Sequence, residues 1–132
     1  RDTDRSRGLG DVYKRQYTTH DSSLSAIIHS ILCVRLERDR EAWELFQRAL
    51  EIDLSEAKMG AAEGVHIANC GGIWQGVILG FAGMKWEYDC DQPTFHPRLP
   101  KHWKSLSFSV CMKGEFYRVS ICGDQAHVIK VE

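Results

Sequence analysis

A chain of 132 residues has room for one ordinary domain or for parts of two. Its 43% hydrophobic and 27% charged residues are a globular composition, which excludes a disordered or low-complexity chain. A formal net charge of -1 gives no electrostatic pull toward nucleic acid or an anionic membrane, and no apolar run reaches the roughly 20 residues of a membrane span.

Residues 1–16 (RDTDRSRGLGDVYKRQ) carry five basic and three acidic residues and no hydrophobic period. They resemble the read-through of a sequencing adapter at the end of a metagenomic reading frame. We expect a non-native leader that takes no part in the fold. A disordered basic arm is the alternative, though the bias is too weak for a nucleic-acid tail. The charged N-terminus has no apolar core of the kind a secretory signal needs.

Leu24, Ile27, Ile28, Ile31 and Leu32 recur at helical spacing, and Asp21, Ser22 and Ser23 before them are good N-cap types. Glu37 to Arg40 is a polar break. Ala42, Trp43, Phe46, Ala49 and Leu50 mark a second helix, whose other face (Glu41, Glu44, Gln47, Arg48, Glu51) belongs to solvent. After a loop around Glu56 to Gly64, a third helix is predicted over Val65 to Phe81. It is apolar on most sides, which implies burial. Gly71, Gly72 and Gly76 each cost up to about 1 kcal/mol there, so they require close packing or close approach to a ligand.

Beyond Trp86 the period changes. Phe95-His96-Pro97-Arg98-Leu99-Pro100 excludes a regular helix. Leu106, Phe108, Val110 and Met112 alternate with Ser105, Ser107, Ser109 and Cys111, the period of a half-buried strand. Lys113-Gly114 signals a turn. Tyr117, Val119 and Ile121 alternate again, Gly123-Asp124 is a second turn, and His127 to Val131 is a third strand. The fold class expected is α+β, an antiparallel meander following helices. Three short strands and three helices leave much apolar surface, including Trp43, Trp74, Trp86 and Trp103, so a piece of something larger is expected.

Two clusters can carry chemistry. Thr18 to Ser25 (TTHDSSLS) sets hydroxyls, an imidazole and a carboxylate at a helix start, where free N–H groups attract anions. Simple capping of the helix would use the same residues. His20-Asp21-Ser22 is not a hydrolase triad, because triads assemble from distant positions. Glu63 to Gln75 (EGVHIANCGGIWQ) puts His66 at the start of the third helix, where it can donate to an anion or sit as a satisfied interior histidine. Gly71-Gly72 lacks the spacing of a nucleotide loop. The basic and aromatic set from Phe95 to Lys104 is too short and Pro-bound for a nucleic-acid surface. The five cysteines form no CxxC pair and their number is odd, so we expect a reducing, cytoplasmic setting and no zinc.

Three stretches in this order resemble the C-terminal region of glycoside hydrolase family 65: TTHDSSLS, EGVHIANCGGIWQGVILGFAGM (Glu63 to Met84) and FHPRLPKHWKSLSFSVCMKG (Phe95 to Gly114). The resemblance, to the family's maltose, trehalose and kojibiose phosphorylases, covers Tyr17 to Glu132. It implies the last helices of an (α/α)6 barrel over residues 17–84 and the start of an antiparallel β-sandwich domain, itself incomplete, over 85–132. It implies inverting phosphorolysis of an α-linked glucose disaccharide to β-glucose 1-phosphate and a sugar. The phosphate-binding residues it implies are Ser22, Ser23 and His66, with backbone approach at Gly71 and Gly72. No metal or cofactor is implied beyond phosphate as co-substrate, and a homodimer is expected. The family's acid catalyst, a glutamate of an upstream barrel segment, has no counterpart here. Glu63 does not match it, and the chain alone is expected to be inactive.

Two other readings compete. Hydrolytic members of the family use a glutamate base where the phosphorylases hold phosphate. The stretch from Ala42 to Leu50 also looks like half of a tetratricopeptide unit, but no copy follows about 34 residues on.

Overall fold

The computed structural model describes residues 23–54, 67–87 and 89–131. Helix α1 (Ser23–Arg35) and helix α2 (Asp39–Leu54) form a hairpin. Helix α3 (Ile67–Gln75) continues without interruption into a π-helical segment, Gly76–Phe81. Strands β1 (Met84–Lys85) and β2 (Thr94–Phe95) pair as a small antiparallel ribbon. Strands β3 (Ser105–Met112), β4 (Glu115–Cys122) and β5 (Gln125–Val131) form an antiparallel meander. The α+β class and the order of helices before strands are those expected.

The α1–α2 turn is tighter than the predicted polar break. Glu37 adopts φ 61° just past α1. The Arg38 N–H donates to the Cys33 carbonyl (2.8 Å) and the Glu37 N–H to that of Val34 (3.1 Å). This pair of bonds satisfies carbonyls that the helix end would leave open, and a left-handed residue makes them possible. Helix α2 then starts at Asp39, inside the predicted break. Asp39 and Glu41 place negative charge on its first turn, where the helix dipole favours it.

Two buried clusters organise the chain. Ala26, Ile27, Ile31, Ala42, Phe46 and Phe81 form the helical core, against which Trp43 and Trp103 pack. Ile78, Met84, Met112, Tyr117, Val119 and Ile121 form the core beneath the sheet. Val77, Leu79 and Leu99 touch both. The π-helical segment makes this division possible. In its wider turn the Ala82 N–H reaches the Val77 carbonyl, five residues back, at 2.8 Å. Ile78 then enters the sheet core, while Phe81 enters the helical core.

The strands follow the period of two. On β4, Tyr117, Val119 and Ile121 are buried and the residues between them are exposed. Lys113 (φ 52°) and Gly114 (φ 82°) make the tight turn that joins β3 to β4. The third strand begins at Gln125, two residues before the prediction, because the Gly123 turn (φ 63°) lets Cys122 pair with Gln125 at once.

Between the two parts, the segment after β2 acts as a strap. The His96 N–H donates to the Gly83 carbonyl (3.0 Å), and the Arg98 N–H to the Phe81 carbonyl (2.8 Å).

Candidate functional site

Ser22 and His66 lie outside the described residues, as do residues 1–16. Ser23 opens α1. The described residues around these positions nevertheless fix one relationship. A Cβ placed at Gly72 would stand 3.4 Å from Leu24 Cδ2 and 3.7 Å from Ile27 Cγ1. One at Gly76 would meet Phe46 at 3.1 Å and Ile27 at 3.5 Å, and one at Gly80 would meet Ile31 at 3.4 Å. Contacts therefore advance together along both helices, so α1 and α3 run parallel. Their N-termini, which follow the two polar clusters of the sequence, lie at the same end. Partial positive charge from two helix ends thus accumulates on one side of the helical body.

Gly71 and Gly72 have different surroundings. Gly72 is buried against α1, whereas a Cβ at Gly71 would meet nothing within 4 Å. The close approach at Gly72 is helix against helix, and the open backbone belongs to Gly71. Beside them is a residue that the sequence did not single out. Asn69 is fully buried, and its Nδ2 donates to the Ala49 carbonyl of α2 at 3.0 Å. Its signal was an amide on an otherwise apolar helix face, one turn before Gly72. Ser30 makes the matching link between α1 and α2, donating from Oγ to the Ala42 carbonyl at 2.7 Å.

The outer side of this end is apolar. Ile67 (84% exposed), Trp74 (53%), Leu24 (45%) and Ile28 (50%) present large side chains to solvent. So the third helix, predicted to be buried on most sides, is open on one of them.

Charge elsewhere is paired across the two parts of the chain. Arg98 on the strap bonds the Asp39 carboxylate through Nε and Nη2, and its Nη1 lies 3.5 Å from Glu37 Oε1. The hydrogen bond from Arg98 holds the Asp39 carboxyl below its usual range, and the same bond raises the Arg98 guanidinium. Burial, and then the Glu87 carboxylate, pushes the Cys90 thiol up, which is unfavourable for a reactive thiolate. None of the five cysteines forms a disulfide, and the described residues contain no group of three metal-ligating side chains. No described helix is long and apolar enough to cross a membrane. A cleft of about 1110 Å³ lies at the other end of α1, lined by Val34, Leu79, Met84, Trp86, Phe95 and Asp124 among others. It is about 18 Å along the helix from Ser23 and is separate from the parallel helix starts.

The glycosyl hydrolase family 65 central catalytic domain matches residues 3–75, and the family 65 C-terminal domain matches residues 86–132. The chain belongs to glycosyl hydrolase family 65. Among curated relatives of this family, kojibiose phosphorylase of Caldanaerobacter subterraneus subsp. tengcongensis is 32% identical over 91% of this chain and 15% of its own length. The α,α-trehalose phosphorylase of Thermoanaerobacter brockii is 38% identical, over 83% of this chain and 14% of its own. Maltose phosphorylase of Bacillus subtilis is 35% identical, over 85% and 14% respectively. A solved kojibiose phosphorylase-like structure from human microbiome superposes with a TM-score of 0.80 at 26% identity, covering 92% of this chain and 17% of that one. The chain thus spans about one seventh of the length of these family members.

Proposed function

We propose that this chain is the phosphate-holding part of an inverting disaccharide phosphorylase. On this reading residues 17–84 complete a helical barrel and residues 85–132 begin a β-sandwich domain. The observation that carries the reading is that relatives matched over 83% or more of the chain are phosphorylases of kojibiose, trehalose and maltose. The parallel helix starts support it, because they lie next in sequence to Ser22, Ser23 and His66.

The chemistry follows from those residue types. Two hydroxyls and an imidazole orient phosphate through neutral or lightly charged donors, which leaves its oxygen nucleophilic. That oxygen attacks the anomeric carbon of an α-glucoside from the face opposite the leaving sugar. The glycosidic bond breaks, and a carboxylic acid protonates the departing oxygen. The acid is a barrel glutamate outside these 132 residues, so the chain by itself is inactive. A cytoplasmic homodimer belongs to the same proposal, supported on location by the odd cysteine count.

Product analysis of the complete gene product tests this. Cleavage of kojibiose, maltose or trehalose is expected to require phosphate and to yield β-glucose 1-phosphate. Replacing Ser22, Ser23 or His66 by Ala is expected to raise KM for phosphate about tenfold or more. Cleavage at an unchanged rate without phosphate would instead identify a hydrolase.

A further inference from the structure

Residues 76–85 fall between the two family domains that the chain matches, yet both cores draw on them. Ile78 is 1% exposed in the core beneath the sheet, and Phe81 is 2% exposed in the helical core. The two are three residues apart. In an α-helix that spacing sets them only about 60° apart round the axis, on one face, so one core would have to take both. The wider π-helical turn parts them, and its bond from the Ala82 N–H to the Val77 carbonyl closes at 2.8 Å. Such turns are rare, because the α-helical form of the same residues is the ordinary one. Tertiary contacts from both sides hold this one. The Arg98 N–H of the strap takes the Phe81 carbonyl at 2.8 Å, and the Phe81 ring packs on Phe46 and Trp103.

We propose that the segment Gly76–Phe81 is a coupling element with two forms, whose wide form exists only while both cores are closed. When the sheet part opens, Ile78 loses its seat, the segment relaxes to an α-helical turn, and Phe81 turns away from Phe46 and Trp103. Opening of the helical core frees Phe81 and releases Ile78 in the same way, since coupling between two sites is reciprocal. The two family domains therefore open together, through one element whose equilibrium both of them bias. This coupling is independent of the reaction that the complete enzyme performs.

Hydrogen exchange of the complete gene product, read by mass spectrometry, tests the coupling. Ile121 is 1% exposed on β4 and belongs to the sheet core alone. Ile121→Ala is expected to speed exchange about tenfold or more in residues 116–121 of β4, and equally in residues 42–49 of α2. In a Phe81→Ala background the same substitution should speed exchange in β4 and leave α2 within about twofold. Acceleration confined to β4 in the otherwise unmodified enzyme overturns the proposal. So does acceleration of both regions in both backgrounds, which is what global unfolding without a part for the π-helical segment produces. If circular dichroism shows Phe81→Ala unfolded, Phe81→Leu takes its place. It removes the ring contacts but keeps the core filled, and the same outcomes decide.

Discussion

Arg98 grips Asp39 with two guanidinium nitrogens across 59 residues of sequence, Nη2 standing 3.1 Å from Oδ2. Because Arg98 sits on the strap before the meander and Asp39 on the first turn of α2, this one pair ties the sheet part to the helical hairpin. Its fork geometry is what a lysine lacks. Both side chains are partly exposed, 38% for Arg98 and 52% for Asp39, so water screens the attraction. Arg98→Gln is expected to cost about 1 kcal/mol, and Arg98→Lys most of that amount, read from denaturant midpoints.

The same pair sets a pH dependence. Arg98 holds the folded carboxyl of Asp39 below its ordinary value of 3.8. A depressed folded value means that the stabilisation is present above 3.8 and is lost as pH falls through the folded value. Asp39→Asn should therefore be less stable than the unmodified chain at neutral pH. The gap should narrow once pH drops below 3.8 and then close. Thermal melts across an acid series would check this, and a gap independent of pH would contradict it.

Gly83 is the backbone position with least tolerance. It adopts φ 64°, and a Cβ there would overlap the His96 carbonyl group. Left-handed backbone and overlap with rigid main chain act in the same direction. Gly83→Ala is expected to cost more than about 3 kcal/mol, measured by denaturant unfolding. Gly114→Ala has the strained φ of 82° but open space, and should cost only about 1–2 kcal/mol.

Phe81 carries the contact between helices and strap. It is 2% exposed, with ring centroids 5.1 Å from Phe46 and 5.4 Å from Trp103. Phe81→Ala is expected to cost about 3–5 kcal/mol. Trp74→Ala removes a side chain that is 53% exposed and should change the stability of this chain by less than about 1 kcal/mol. Calorimetric melts of the two variants would separate them.

Much of the fold was legible in the residues. The alternation from Leu106 to Met112 and from Tyr117 to Ile121 declares strands, since a period of two admits one buried face. Lys113-Gly114 declares the hairpin between them. The helical pattern of Leu24 to Leu32 placed α1 to within a few residues. The π-helical segment was not legible, because six residues are too few to tell its period from that of an α-helix. The site was legible only in part. HDSS and GVHIANCGG stood out as polar and glycine-rich clusters, but their pairing came from family resemblance and not from spacing.

By itself, the sequence determined the α+β class, the order of its elements, the turns and the motifs of family 65, all of which arise from neighbours within a few residues. Tertiary structure alone decided which glycine faces what. Gly71 and Gly72 are adjacent and chemically identical, yet one is open and the other carries Leu24 and Ile27, because a helix turns by about 100° between them. It also decided that α1 and α3 run parallel and that Arg98 finds Asp39. These contacts join residues tens of positions apart, and their energy exists only once packing has brought the chain together.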